Sequence, residues 1–310
     1  MFSIVFPGQG SQVVGMSNQF YNKFDLFKRI YKEADEILDY PLSKIILEGP
    51  EKELNLTENT QPAIFLVGYS IFHLMKQEFD INLHNAKYFA GHSLGEYTAL
   101  ACSNVLSFED TIKILKIRGK AMQDAVPKGQ GGMLAVLGSE TKIIEKIIED
   151  NKKIFKCFIA NDNSIGQIVV SGILSDINKF SEVLTSKKIK SVKLSVSAPF
   201  HCELMNKATN IMEKEIKNIS FNDFKNQIIS NVTASAISDK KLISDLLIAN
   251  IEKRVRWRES IEYMIKNNIS TFIEIGPGKV LSGLIKRINR TVKVSAINNE
   301  GDINNLNLND

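Results

Sequence analysis

Cysteine is scarce in this chain. Its 310 residues hold three, Cys102, Cys157 and Cys202. None stands at a metal-ligand spacing, which argues against a metal site or a disulfide scaffold and for reduced thiols in a cytoplasmic protein. Cys202 follows a histidine, but neighbours in an extended segment point to opposite faces, which weakens a Cys/His pairing. Long apolar runs are missing too. None approaches the length of a membrane span, and Met1 to Pro7 lacks a basic leader, so it reads as a buried first strand and not as a signal peptide. The charge excess is only +4, which gives no reason to expect nucleic acid but permits a locally basic face for an acidic partner. There is no internal repeat and no nucleotide-phosphate loop. What remains is 44% hydrophobic and 24% charged, an ordinary globular composition with length for one large domain or two modest ones.

The most informative stretch is Gly91-His92-Ser93-Leu94-Gly95-Glu96. It lies between an apolar run (Lys87 to Ala90) and a helix-compatible run (Tyr97 to Cys102), so the context is strand, tight turn, helix. A G-x-S-x-G there reads as a nucleophile elbow, with the serine hydroxyl exposed on a sharp turn. The first amides of the following helix point toward the serine and can receive an anionic oxygen. An ordinary serine in a strand-to-helix loop is the alternative.

Along the chain, Ser3 to Phe6 is a short β run stopped by Pro7-Gly8-Gln9-Gly10-Ser11-Gln12, a loop whose amides can approach a ligand closely. Gln19 to Leu38 has helical spacing. Thr60-Gln61-Pro62 opens a helix running to about Phe79. Ser107 starts a helix, with an acid three residues on, that carries Arg118; a solvated surface arginine is the plain alternative. Gly129 to Gly132 is a flexible joint. From there to Ser197 the pattern is β-α-β-β-α-β, the split unit of a ferredoxin-like lobe. Asn161 to Gly166 would be the hairpin loop between its middle strands. His201 follows a proline-fixed segment and precedes a helix, a position suited to a catalytic group, although a histidine packed for structure is the alternative. His73 and His84 belong to no constellation. A strand at Gln227–Val232, a helix at Lys241–Asn250, a charged loop holding Trp257, a helix at Ser260–Lys266 and a strand at Thr271–Ile275 follow. A turn at Gly276–Lys279, a helix, a last strand at Val292–Ile297 and a polar, frayed tail from Asn298 to Asp310 complete the chain. Strands alternating with helices argue for an α/β fold with a mainly parallel sheet.

Taken together, the segments PGQGSQ (Pro7–Gln12), TQPA (Thr60–Ala63), GHSLGEY (Gly91–Tyr97), RGKAMQ (Arg118–Gln123), SAPFH (Ser197–His201), NVTA (Asn231–Ala234) and IGPGKVL (Ile275–Leu281) resemble the malonyl-CoA:acyl carrier protein transacylases. The resemblance runs in order from about Ser3 to Ile297. It implies an α/β-hydrolase-like core (1–128 and 198–310) with an inserted ferredoxin-like βαββαβ subdomain (129–197). It implies Ser93 as nucleophile, His201 as general base, and the amides of Gln9 and Leu94 as the oxyanion hole. Arg118 would hold the free carboxylate of malonate. Gln61, His92, Met122, Asn161, Asn163 and Asn231 match positions that line or support the pocket. Phe200 matches a bulky residue that disfavours α-methylated malonyl groups. Asn250 stands where the family usually has glutamine, whose backbone carbonyl orients the histidine. Isoleucine at 165 and arginine at 254 replace prolines common in the family. The partners implied are malonyl-CoA and acyl carrier protein, with no cofactor bound by the enzyme, no metal, no nucleic acid and no membrane.

Two other readings share these features. A serine esterase has the same elbow, but usually carries an acid between serine and histidine and a histidine near the C-terminus; here the last histidine is His201. A non-catalytic relative would have lost a reacting side chain, and both are present. A basic rim for an acidic carrier is expected from Lys187, Lys188 and Lys190 with Lys286, Arg287 and Arg290, against solvated lysines as the alternative.

Overall fold

The computed structural model describes residues 1–196, 198–237 and 239–307. Ser197, the expected end of the small lobe, lies outside the described residues, as do positions 308–310 of the tail.

The apolar run at the N-terminus forms β1 (Phe2–Phe6), and Tyr88–Gly91 forms β2. The strands of the inserted region are β3 (Gly131–Leu137), β4 (Cys157–Ser164), β5 (Gln167–Ile173) and β6 (Lys190–Lys193). Then come β7 (Gln227–Ile229), β8 (Thr271–Ile275) and β9 (Lys293–Ile297). Two sheets result. One has the order β7-β2-β1-β8-β9, and all its pairings are parallel. Its central strands are apolar on both faces because helices cover both sides: Ile4, Val5 and Phe6 have no exposed surface. The other sheet has the order β4-β5-β3-β6, wholly antiparallel, the strand order of a ferredoxin-like unit. The α/β class with a mainly parallel main sheet therefore holds. Among the described residues no helix is long and apolar enough to cross a membrane.

The loops at the carboxyl ends of the parallel strands converge, which is where open α/β sheets build sites. There the chain needs glycine. A Cβ on Gly91 would lie 1.9 Å from the Gly95 carbonyl group, and one on Gly95 would lie 2.3 Å from the Phe6 oxygen. The elbow therefore packs its helix directly onto β1 and β2. The small sheet is fastened to the core at the end of β4. Asp162 N donates to the Val255 oxygen at 2.9 Å, and Val255 N donates to the Ala160 oxygen at 2.8 Å. Asp162, almost fully buried, also pairs with Arg258 at 2.8 Å.

Several elements differ from their sequence expectation. The helix expected over 19–38 is two, Asn18–Lys23 and Asp25–Leu38, with Phe24 extended between them. The apolar stripe survives the break because Phe20 still stacks on Phe27 at 5.3 Å. The helix expected to open at Thr60 begins at Thr57. Thr60 does not cap it, since its hydroxyl donates to the Leu54 and Leu56 carbonyls. Pro62 sits inside the helix, in its second turn. Asn161 to Ser164 belong to β4 and not to a loop. Only Ile165 and Gly166 turn, Gly166 with φ 74°, and register shifts in β4 flank Asn161 and Asp162. The strand expected over 227–232 stops at Ile229, because Ser230 N turns to the Ser235 oxygen. The helix expected at 241–250 runs over Ile243–Glu252. Trp257 is not in a loop; it begins the helix Trp257–Lys266 and is fully buried among Val255, Ile261 and Ile269. The tail is not wholly frayed. Asn299 and Asp302 form a reciprocal capping box on the helix Glu300–Asn304 and bury Ile303.

The helix Phe108–Asp124 is capped by Ser107, whose hydroxyl accepts from Asp110 N at 2.9 Å. It packs tightly on Thr57–Gln77 through Gly119, where a Cβ would lie 2.4 Å from the Thr57 oxygen. Gly119→Ala should therefore destabilise the fold by about 1–3 kcal/mol, the usual cost of overpacking, although alanine is the better helix former. Denaturant titration checks this. Stabilisation instead, from the gain in helix propensity, would show that the two helices can part without cost.

Candidate active site

Ser93 sits between β2 and the helix Gly95–Cys102 with φ 54°. That left-handed conformation is strained for a residue with a Cβ, and the surroundings hold it in place. Asn231 Oδ1 accepts from Ser93 N at 2.7 Å, and Asn231 Nδ2 donates to the Gly91 oxygen at 2.7 Å. Asn231 N in turn donates to the Glu96 carboxyl at 3.1 Å. Glu96 is 1% exposed, and burial pushes its pKa up to about 8. At neutral pH it is therefore mainly a neutral acid behind the elbow.

His201 also has a left-handed backbone, φ 56°, imposed after Pro199 and Phe200. Its Nε2 lies 2.7 Å from Ser93 Oγ, and its Nδ1 lies 2.8 Å from the Asn250 oxygen. A carbonyl only accepts, so Nδ1 carries the proton and Nε2 presents its lone pair to the serine hydroxyl. The group behind the imidazole is thus a neutral carbonyl where a triad would place a carboxylate. Burial first, and the Arg118 charge second, pull the His201 pKa down to about 3.

Arg118 is not a surface arginine: its relative exposure is 0%. Nη1 donates to Gln61 Oε1 at 2.8 Å, and Nη2 donates to both Ser93 Oγ and Asn250 Oδ1 at 3.1 Å. Its guanidinium lies 5.5 Å from the Tyr97 ring centroid. Among the described residues no carboxylate forms an ion pair with it; every acceptor in contact is neutral. Burial lowers its pKa, but a guanidinium stays charged in a protein. A buried charge without a counter-ion is costly, and this one sits at the floor of a cleft.

That cleft has a volume of about 160 Å³. Ser93, His201 and Arg118 share it, with Gln9, Leu94, Gln61 and Met122 from the core. Phe200 closes one side. Asn161 and Asn163 reach in from β4, and His92 Nε2 is 2.8 Å from Asn163 Oδ1. Asn231 and Asn250 do not line the cleft: the first ties the elbow from behind, and the second contacts His201 and Arg118. Among the described residues the backbone amides of Gln9 and Leu94 are engaged by no hydrogen bond, which leaves both as donors beside Ser93. Met133, Val169, Leu194 and Val196 of the inserted region form an apolar wall. Sequence reading did not pick them; alternation along β3 and β5 was visible, but the face turned to the core was not. It missed Glu96 as well, although an acid inside an otherwise apolar helix start was a signal.

Of the residues expected to form a basic rim, Arg287 hydrogen-bonds Gln167 Oε1. Gln167 and Lys190 flank Leu137 on neighbouring strands, so the two groups of cations approach one end of the small sheet. Among the described residues no group of three or more His, Cys, Asp or Glu could hold a metal ion. All three cysteines are buried; Cys202 Sγ donates to the Pro199 oxygen at 3.0 Å, and burial pushes its pKa up to about 12, which makes it a poor nucleophile.

The chain resembles known proteins over nearly its whole length. The model of the acyl transferase domain matches residues 3–301. The malonyl CoA-acyl carrier protein transacylase of Bacillus subtilis is 39% identical over 300 residues, covering 95% of this chain and 92% of that protein. The crystal structure of an acyl-carrier-protein S-malonyltransferase from Bartonella henselae superposes with a TM-score of 0.94 at 40% identity, covering 98% of this chain and 97% of that one. A malonyl-transacylase solved in complex with its type II PKS acyl-carrier protein gives a TM-score of 0.93 at 33% identity, with 97% of each chain covered. A serine on a strand-to-helix elbow, a histidine against it and a match over nearly the whole length lead to one conclusion: the chain belongs to the acyl transferase family.

Proposed function

We propose that this protein moves the malonyl group from malonyl-CoA to the phosphopantetheine thiol of acyl carrier protein, through a malonyl ester on Ser93, and so supplies malonyl units for fatty acid elongation. The observation that carries this reading is the buried Arg118 guanidinium, in contact with the nucleophile and with neutral acceptors only. A negatively charged acyl group is the counter-ion such a site suits.

The steps follow from the geometry. Ser93 Oγ attacks the thioester carbon while His201 Nε2 takes the hydroxyl proton. Negative charge moves to the thioester oxygen, which the amides of Leu94 and Gln9 receive; one such donor is typically worth about 10²–10³ in rate. Collapse breaks the carbon–sulfur bond, and His201 returns its proton to the departing CoA thiolate. The carrier thiol then gives its proton to Nε2 and attacks the ester. The second tetrahedral adduct collapses to malonyl thioester and a reprotonated Ser93. Arg118 holds the malonyl carboxylate throughout. Asn231 and Glu96 fix the elbow, and the Asn250 carbonyl fixes the imidazole. Gln61, Met122, His92, Asn161 and Asn163 shape the acyl pocket. Phe200 fills the volume that an α-methyl branch would need, which disfavours that substrate. The reading needs no resident cofactor or metal, because protein groups meet each charge that develops. It places the enzyme in the cytoplasm, with 1–128 and 198–310 as the catalytic core and 129–197 as an inserted subdomain.

Brief incubation with labelled malonyl-CoA should leave one acyl group on Ser93, and Ser93→Ala should abolish both the label and transfer. A wild-type protein that carries no label, or that releases free malonate as fast as it transfers, would count for a hydrolase instead. Arg118→Ala should lower kcat/KM for malonyl-CoA by about 10²-fold, the scale of a lost charge-assisted contact, and raise the share of acetyl transfer; an unchanged ratio would remove Arg118 from carboxylate binding. The depressed His201 pKa has two consequences. The base stays neutral well below the ordinary histidine range, so kcat/KM should show no acid limb near pH 6.5; a limb centred there would contradict the buried imidazole. Because the unfolded imidazole binds a proton that the folded one refuses, His201 contributes a loss of stability as pH falls from about 6.5 toward about 3.

A further inference from the structure

Asn250 enters the site twice, and the two contacts are chemically separate. Its backbone carbonyl accepts from His201 Nδ1. Its side-chain Oδ1 accepts from Arg118 Nη2 at 3.1 Å. The amide cannot be turned the other way, because a guanidinium offers only donors and must face the oxygen. Asn250 is 1% exposed and does not line the cleft, so its side chain meets the acyl group only through Arg118. Arg118 has five N–H donors. The contacts to Gln61, Ser93 and Asn250 use three; the remaining two are the second Nη1 hydrogen and the Nε–H, which is buried without a partner among the described residues. The acceptors set the cation's position without cancelling its charge. A carboxylate in place of the Asn250 amide would have almost the same shape and would cancel it.

We propose that the side chain of Asn250 is a specificity-determining positioning residue: it anchors Arg118 with a neutral acceptor, so that the guanidinium charge remains for an acyl group bearing a free carboxylate. The inference rests on the malonyl transfer proposed above. It assigns to the side chain a task that the histidine-orienting carbonyl does not perform.

Asn250→Asp is the decisive variant, since it keeps shape and backbone while adding one charge. The measurement is kcat and KM for malonyl-CoA and for acetyl-CoA, each with acyl carrier protein as acceptor. The rate at which a neutral sulfonyl fluoride labels Ser93 is measured alongside, to report on the Ser93–His201 pair. For Asn250→Asp, kcat/KM with malonyl-CoA should fall at least about tenfold more than either kcat/KM with acetyl-CoA or the labelling rate, and the excess should appear in KM. Asn250→Gln, which keeps a neutral acceptor, should hold the malonyl-to-acetyl ratio within about threefold of wild type. Should the aspartate variant not fold, Asn250→Ala carries the test, with a fall in the same ratio of at least about threefold from the loosened arginine. Equal losses for malonyl-CoA, acetyl-CoA and the sulfonyl fluoride would overturn the proposal, because they would trace the effect to His201. So would an unchanged ratio in Asn250→Asp, or in Asn250→Ala where that variant carries the test. Absence of malonyl transfer in the wild type would overturn the function and this inference together, and is read separately from the variants.

Discussion

The site depends on a cation buried without an anion. Arg118 has no exposed surface, and holding a guanidinium there costs desolvation that hydrogen bonds to neutral groups offset only in part. The surrounding architecture limits that cost. Gly119 lets its helix lie against Thr57–Gln77, which brings Gln61 within 2.8 Å of the cation. The helix ending at Glu252 delivers Asn250, and the elbow delivers Ser93. Three separate elements thus each give one acceptor. An internal carboxylate against Arg118 would neutralise the charge that the proposed anionic acyl group would meet.

A second constraint is backbone strain at both residues of the proposed nucleophile–base pair. Ser93 and His201 each hold a positive φ, a cost that persists only when neighbours fix the conformation. At Ser93 the fixing groups are Asn231 and, behind it, Glu96. Since Asn231 Oδ1 occupies the Ser93 amide, that amide is not available to an oxyanion, which is why the proposed mechanism assigns that role to the next one, Leu94, and to Gln9. At His201 the Ser171 hydroxyl holds the preceding backbone by donating to the Phe200 oxygen at 2.6 Å, and the Asn250 carbonyl holds the ring. The parallel sheet supplies the common frame, because β1 and β2 end side by side and the loops after them carry Gln9 and Ser93.

Much of this was legible in the sequence where one local rule decides an element. The elbow was readable because the Gly91 and Gly95 spacing is dictated by backbone contact. The Ser107 cap and the βαββαβ order followed from side-chain chemistry and period. What failed was decided by tertiary contact. The 19–38 stripe gave no hint of the break at Phe24, since two helices can present one continuous apolar face. Asn161 and Asn163 looked like turn residues by propensity, but they occupy a strand whose register shifts serve the cleft. Arg118 is the clearest case. Its helix position is compatible with solvent, and only the packing of Tyr97, Gln61 and Asn250 around it shows otherwise. The family resemblance named it; local sequence physics did not.

The same cation bears on how a base as weak as His201 would serve in the proposed transfer. Arg118 opposes a positive charge on the imidazole, which makes proton uptake at Nε2 harder. It also donates to Ser93 Oγ at 3.1 Å, which favours negative charge on that oxygen as the proton leaves. The two effects act on opposite ends of one proton transfer and so oppose one another. A malonyl carboxylate set against Arg118 changes both. It neutralises the charge that adds to burial in depressing the His201 pKa and competes for the donor that Ser93 holds. The imidazole then becomes a stronger base, and the hydroxyl oxygen recovers a lone pair for attack, when the anionic substrate is in place. Without that carboxylate His201 remains the weaker base, so the group proposed to select the substrate would also favour reaction with it.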